Sequence, residues 1–167
     1  KKVMDIGTGA GFPGVPLKIA FPHIEACLLD SLNKRVKFLE ETFALLGLEN
    51  ITAIHGRAEE FAKNKVYREQ YDLCVSRAVS GLATLSEYCL PYVKKGGIFV
   101  SYKSGSVQEE VEAAKRAVEI LGGKIRDVQY FELPGEIGRS LVVIEKIKNT
   151  PARYPRKAGT PLREPLA

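Results

Sequence analysis

The sequence contains no run of eighteen or more apolar residues and no charged-then-apolar leader, so neither a membrane span nor secretion is expected. A cytoplasmic location follows as the expectation. It also lacks any C-x-x-C pair. Its three cysteines, Cys27, Cys74 and Cys89, are an odd number set far apart in apolar stretches, which reads as buried, reduced thiols and not as a disulfide frame. Metal chemistry is not indicated, because His23 and His55 have no matching set of ligands and read as surface or strand-end residues. There are no internal repeats. What is present, 45% hydrophobic and 27% charged residues in a chain of 167, suits one globular domain with a real core.

The formal net charge of +5 is concentrated at one end. From Lys146 to Ala167 there are six basic residues (Lys146, Lys148, Arg153, Arg156, Lys157, Arg163) against the single acid Glu164, which leaves the remainder neutral with nineteen of each sign. A positive tail on a neutral body is what a phosphate-backbone contact requires, since neutralised phosphates release counterions. A solvated terminus gives the same composition. The proline-rich stretch Thr150-Pro151-Ala152-Arg153-Tyr154-Pro155-Arg156-Lys157 reads as an extended surface arm, and the organisation expected is a domain over 1–147 followed by a basic arm over 148–167.

Within 1–147, apolar bursts alternate with amphipathic stretches. Val3 to Gly7 reads as a strand entering a glycine loop, with a short helix from Pro13 to Phe21. Glu25 to Asp30 is a second strand, and Leu32 to Leu46 a helix with Val36, Leu39, Phe43 and Leu46 on one face, stopped by Gly47. Further strands are expected at Ile51–His55, Tyr71–Ser76 and Ile98–Lys103, the last entered through a turn at Gly96-Gly97. Helices are expected at Ala58–Ala62, Leu82–Tyr92 and Val107–Leu121. The final strands, Lys124 to Glu132 and Ser140 to Ile147, are joined by only a few residues including Pro134, Gly135 and Gly138. A parallel crossover needs a dozen or more residues, so this pair must be an antiparallel hairpin closing an otherwise parallel α/β sheet.

The chemistry-bearing segment is Asp5-Ile6-Gly7-Thr8-Gly9-Ala10-Gly11. Gly7, Gly9 and Gly11 fall at alternate positions where strand gives way to helix, and there backbone can approach a ligand closely. The spacing is G-x-G-x-G, while the dinucleotide fingerprint is G-x-G-x-x-G; Gly14 keeps that alternative open. Asp30 ends the second strand about twenty residues after the loop, where a carboxylate can accept both hydroxyls of a ribose. It can equally cap the following helix, alone or with Ser31. Backbone groups around Ala58 and Glu59 lie where an adenine can be gripped, although Glu59 also suits a helix N-terminus. Arg77, after the fourth strand, can pair with a ligand carboxylate; Phe12 can pack on the ligand or belong to the core. Lys34 and Arg35 read as a solvated helix face partnered by Glu40 and Glu41.

An Asp/Asn-Pro-Pro-aromatic motif, used by methyltransferases that attack exocyclic amines, is missing: Ser76-Arg77-Ala78-Val79 stands in its place. C5 methylation of pyrimidines needs a loop cysteine, and Cys74 lies inside an apolar strand facing the core. Guanine N7 fits this inventory, because its in-plane lone pair needs no deprotonation before attacking a sulfonium methyl, and positioning carries most of the rate. No catalytic side chain is therefore expected.

The residues resemble the ribosomal RNA small subunit methyltransferase G family, also called the glucose-inhibited division protein B family. The blocks that carry the resemblance are Asp5 through Gly14, Leu29-Asp30-Ser31-Leu32-Asn33-Lys34-Arg35 with Phe38-Leu39, Arg57-Ala58-Glu59-Glu60, Ser76-Arg77-Ala78, and Arg139 ahead of Leu141-Val142-Val143-Ile144. The ending Tyr154-Pro155-Arg156-Lys157-Ala158-Gly159-Thr160-Pro161 is similar to that of Gram-positive members. The resemblance implies a Rossmann-like class I methyltransferase with a seven-stranded, mostly parallel sheet. It implies transfer from S-adenosylmethionine to N7 of one guanine in 16S rRNA near the decoding centre. Carried over, Gly7, Phe12, Ala58, Glu59 and Arg77 contact the cofactor; Asp30 on the ribose follows from its position. The family has a helical segment ahead of the first strand that these residues lack. For RNA, Arg153, Arg156 and Lys157 are expected on phosphates with Tyr154 stacked on a base or sugar. The expected partner is 16S rRNA or the 30S subunit, bound by a monomer without metal or membrane. Three alternatives share parts of the pattern: a small-molecule methyltransferase, a nucleotide-dependent oxidoreductase and a non-catalytic RNA-binding protein.

Overall fold

In the computed structural model, which describes residues 1–167, seven stretches form one sheet: β1 (Lys2–Ile6), β2 (Glu25–Asp30), β3 (Ile51–His55), β4 (Tyr71–Ser76), β5 (Val93–Ser104), β6 (Gly123–Leu133) and β7 (Ile137–Lys146). Their spatial order is β3-β2-β1-β4-β5-β7-β6. The first five pair in parallel, while β7 runs antiparallel to both β5 and β6. The hairpin read from the short Pro134–Glu136 connection is therefore present. Its second strand slots inside the first, so β6 points the same way as β5, as its crossover helix demands.

Successive residues of β1 feed opposite cores. Val3 joins Val15, Leu28, Leu39 and Phe43 on the face covered by α1 (Gly14–Ala20) and α2 (Asn33–Leu46). Met4 and Ile6 join Leu82, Leu85, Val111 and Val118 on the face covered by α4 (Leu82–Cys89) and α5 (Gln108–Ile120). With helices on both faces the central strands β1 and β4 are largely apolar and do not alternate, Asp5 and Ser76 being the buried polar exceptions. Cys27, Cys74 and Cys89 are all buried and free.

Several boundaries move by a few residues, β7 starting at Ile137 and not at Ser140, and two of the differences have a clear local cause. The helix over Leu82–Tyr92 ends at Cys89 and continues as a 3₁₀ turn over Leu90–Tyr92, because Pro91 disfavours helical geometry before it. Gly96-Gly97 is not a turn ahead of a strand but lies inside β5. There the pairing shifts between Tyr71↔Val93 and Leu73↔Ile98, and a Cβ on Gly97 would stand 2.8 Å from the Asp72 carbonyl.

The tail departs furthest from its expected form. Tyr154 is buried among the residues packed on α4 and α5, and the Arg68 guanidinium donates to the carbonyls of Thr150 (3.0 Å), Pro151 (3.2 Å) and Tyr154 (2.8 Å). Arg156 forms a forked pair with the fully buried Glu87, Nη2 to Oε1 at 2.8 Å and Nε to Oε2 at 3.1 Å. A short helix α6 (Thr160–Arg163) follows, with Thr84 donating to the Pro161 carbonyl at 3.0 Å. Lys146 belongs to the core: its ammonium donates to the Leu90 and Val93 carbonyls (2.7 Å each) and meets Glu69 at 3.0 Å. Burial pulls its pKa down to about 8. The docked tail replaces the extended arm, and the exposed cations left on it are Lys148, Arg153, Lys157 and Arg163. No helix is long and apolar enough to cross a membrane.

Candidate functional site

The order of strand addition reverses between the parallel neighbours β1 and β4, since β1 leads to β2 and β3 on one side and β4 leads to β5 on the other. The crevice outside the carboxyl ends of these two strands is where open α/β sheets bind ligands. The glycine loop leaves β1 there.

Gly7, Gly9 and Gly11 all have positive φ (68°, 61° and 104°), a conformation that carries little penalty only without a Cβ. Their surroundings differ. A Cβ on Gly11 would strike Val15 at 2.7 Å and Leu39 at 2.9 Å, so this glycine lets α1 and α2 pack; beside Gly9 there is open space, where a ligand can approach the backbone. Gly7 faces Ala78, with 3.6 Å between the Ala78 Cβ and a Cβ built on the glycine.

Asp30 is drawn to the same loop. Its Oδ2 accepts the Gly9 N–H at 2.9 Å, its Oδ1 accepts the Leu32 N–H at 3.0 Å, and Arg35 stands 3.6 Å away. Asp30 does not cap α2, whose N-cap Leu32 has no side-chain cap bond; the Leu32 N–H it accepts lies ahead of the helix, and each of its oxygens retains an acceptor direction for a ribose. Arg35 turns to Asp30 and makes no ion pair with Glu40 or Glu41.

Around α3 (Ala58–Phe61), the Glu59 carboxylate is buried, accepting the Gly159 N–H at 2.8 Å and approached by Arg57 at 3.4 Å. The Ala58 carbonyl is taken by the Tyr92 hydroxyl at 2.6 Å. Backbone N–H groups and the unengaged Glu59 Oε1 remain for an adenine, and the Gly159 N–H ties the docked tail to this wall. On the opposite side Arg77 is exposed, its Nε donating to the Phe12 carbonyl at 3.2 Å and its guanidinium 5.6 Å from the half-exposed Phe12 ring. The other guanidinium N–H groups are free to pair with a carboxylate.

One member of the site was not singled out from sequence. Asp5 is fully buried; its Oδ2 accepts the Thr8 hydroxyl (2.7 Å) and the Gly14 N–H (2.9 Å), while Oδ1 receives no hydrogen bond. Burial drives its pKa from 3.8 to about 7, against the lowering pull of Thr8, Gly14 and Arg77. An acid inside the run Val3-Met4-Asp5-Ile6 was the available signal. An orphaned carboxylate oxygen beside an arginine fits the two charges of an amino acid: ammonium toward Asp5, carboxylate toward Arg77. With Gly9 and Asp30 suited to a ribose, these residues fit S-adenosylmethionine.

Of the four tail residues assigned to RNA, Arg153 and Lys157 are exposed, whereas Tyr154 is buried and Arg156 is committed to Glu87. No group of three or more His, Cys, Asp or Glu side chains is placed to hold a metal.

A family model described as rRNA small subunit methyltransferase G matches residues 1–141. Curated proteins named "Ribosomal RNA small subunit methyltransferase G" match almost the whole chain. That of Clostridium novyi is 54% identical over 166 residues (99% of this chain, 68% of the relative). That of Desulforamulus reducens is 55% identical over 166 residues (99% and 69%). The chain thus spans about 68–69% of these relatives' length. Among solved structures, a variant of the 16S rRNA (adenine(1408)-N(1))-methyltransferase of Catenulisporales acidiphilia superposes with a TM-score of 0.75 at 15% identity, over 94% of this chain and 87% of that one. The same variant with its cosubstrate SAM gives 0.72 at 13% identity, over 89% and 86%. At such identities these two structures speak for the fold.

Proposed function

Because the chain belongs to the rRNA small subunit methyltransferase G family, we propose that it transfers a methyl group from S-adenosylmethionine to N7 of one guanine in 16S rRNA, near the decoding centre. The observation that carries the cofactor assignment is Asp5, whose unpartnered oxygen calls for a cation at the edge where the glycine loop, Asp30 and Arg77 converge. The cofactor, when bound, supplies a methyl group on a sulfonium.

The protein's own part is positional. Gly9 and Asp30 hold the nucleoside end, Phe12 and Arg77 close over the amino-acid end, and the α3 wall limits access of water to the adenine. Guanine N7 has its own lone pair, so no side chain has to remove a proton, and the protein's task is to hold that atom against the edge where a bound cofactor would supply the methyl group. The protein acts as a monomer and without a metal, on 16S rRNA or the 30S particle, and Arg153 and Lys157 lie on the face that meets phosphates.

The test is transfer of labelled methyl to 16S rRNA and to 30S particles, followed by mapping of N7-methylguanine. One labelled guanine is expected, with Arg77→Ala reducing kcat/KM by about tenfold or more through the lost charge-assisted pair. Absence of transfer to both substrates would move the assignment to a small-molecule acceptor.

A further inference from the structure

A second cleft of about 530 Å³ adjoins the cofactor loop; its lining includes Arg77, Tyr102, Lys103, Glu110, Phe131 and Arg139. That volume lies in the range of small-ligand pockets. Resting on the function proposed above, we infer that this cleft receives the target guanine and that Glu110 selects it by accepting hydrogen bonds from N1–H and the N2 amino group.

Location comes first. The cleft shares Arg77 and Ala78 with the cofactor edge, and Gly7 faces Ala78 across the loop. It extends along the carboxyl ends of β4 and β5 to the hairpin, where Arg139 of β7 lies opposite Ser104 and Phe131. Its walls suit a flat base: Val79 is fully exposed, Phe131 and Leu133 are more than a third exposed, and Tyr102 is partly covered. Apolar and aromatic surface left open beside a reaction centre is where an unstacked base can be sandwiched. Burial pushes the Tyr102 phenol above its ordinary pKa, so it stays neutral.

The polar content is sparse and ordered. Glu110 is the only carboxylate lining the cleft, and it sits in the first turn of α5, where the helix dipole favours an anion. The Lys103 ammonium stands 2.7 Å from Glu110 Oε2 and donates to the Ser80 carbonyl at 2.6 Å. Lys103 is thereby fixed between two elements and serves as a positioning residue. Oε2 is buried against the Lys103 ammonium, and Oε1, which makes no hydrogen bond or ion pair, is the acceptor left for a ligand. Arg139 forms no ion pair within the chain and suits the phosphate of the flipped nucleotide.

A carboxylate oxygen with both acceptor directions free matches two donors side by side, and guanine is the one RNA base with that edge. Adenine offers an unprotonated N1 flanked by C2–H, which a carboxylate repels; uracil offers one N–H between two carbonyls. Holding guanine by N1 and N2 also turns N7, at the far side of the purine, toward the cofactor edge. As N7 takes the methyl group the ring becomes cationic, so its N1–H donates more strongly and the contact tightens in the transition state.

The experiment compares wild type with Glu110→Gln on 16S rRNA carrying guanosine or adenosine at the mapped target position, with S-adenosylmethionine affinity measured by equilibrium titration. The variant is expected to bind the cofactor within twofold of wild type and to lose about a hundredfold in kcat/KM on guanosine. Its guanosine-to-adenosine preference should fall at least tenfold, because an amide can donate to adenine N1. Loss of activity with the base preference unchanged, or no loss at all, overturns the assignment of Glu110. If the wild type methylates no guanine, the function itself falls and this assignment with it.

Discussion

The loop after β1 and the tail after β7 are both composed of residue types that contact ligands, yet they deploy them in opposite ways. In the loop, groups stay uncommitted: space is open beside Gly9 and the buried Asp5 Oδ1 has no partner, while Arg77 next to the loop retains free donors. In the tail, the most suggestive groups are consumed internally: Tyr154 is buried, Arg156 is forked onto Glu87, and the backbone is strapped down by Arg68 and Thr84. The difference lies in how each segment is held. In the loop, Asp5 is held by neighbours three and nine residues away, Thr8 and Gly14, and Gly9 by Asp30 at the end of the next strand. The tail is held by Glu87, Thr84, Arg68 and Glu59, partners 69 to 100 residues distant.

The largest expected effect tests the tail's side of that contrast. Removing Arg156 leaves the fully buried Glu87 carboxylate without its ion partner, and breaking a buried pair typically costs about 3–5 kcal/mol. Arg156→Ala should lower Tm markedly in a cofactor-free thermal melt, and Glu87→Ala should do likewise. A change below about 1 kcal/mol in either would mean a loosely attached arm, restoring the picture that composition alone suggested. Since the Gly159 N–H also reaches Glu59, undocking should weaken cofactor binding as well, through the α3 wall.

Legibility followed the same division. The strand–loop–helix at β1, Asp30 at the end of β2 and the terminal hairpin were readable because each rests on local spacing: glycines at alternate positions, a carboxylate at a strand end, a connection too short for a crossover. The insertion of β7 between β5 and β6 was not, because strand order depends on pairing that no single segment encodes. Lys146 was counted with the basic tail, although it continues the every-second-residue inward pattern of Ser140, Val142 and Ile144 on β7. That period was the missed clue. Asp5, an acid in a buried apolar strand, was equally visible and passed over. Glu110 carried no comparable mark, since an acid in the first turn of an amphipathic helix is ordinary; only the cleft gives it meaning.

On the loop's side, the effect of Asp5 should be smaller and dependent on pH. Its folded pKa of about 7 lies above the ordinary 3.8, so the folded state binds the proton more tightly than the unfolded state does. The resulting stability is fully present below about pH 4 and is lost as pH rises toward 7. Without cofactor, Asp5→Asn should therefore match wild type near pH 4 and exceed it above pH 7, by at most a few kcal/mol. Cofactor affinity should move the other way, with the variant binding about tenfold or more weakly at pH 7.5, where an ionised carboxylate would face the ammonium. Chemical unfolding at two pH values and an equilibrium titration measure both. A variant with unaltered affinity would remove Asp5 from the site.

The smallest effect separates the tail's two kinds of cation. Arg153 and Lys157 are exposed, and neither makes an ion pair within the chain; replacing either with alanine should leave Tm unchanged. If they meet RNA phosphates, each loss should reduce the slope of log affinity against log salt by about 1 for binding to 16S rRNA. Arg156→Ala should show the reverse pattern, a lower Tm with a slope close to wild type where the protein remains folded. Should Arg153→Ala and Lys157→Ala both leave the slope untouched, neither cation meets an RNA phosphate, and of the tail's exposed cations only Lys148 and Arg163 would remain for such a contact.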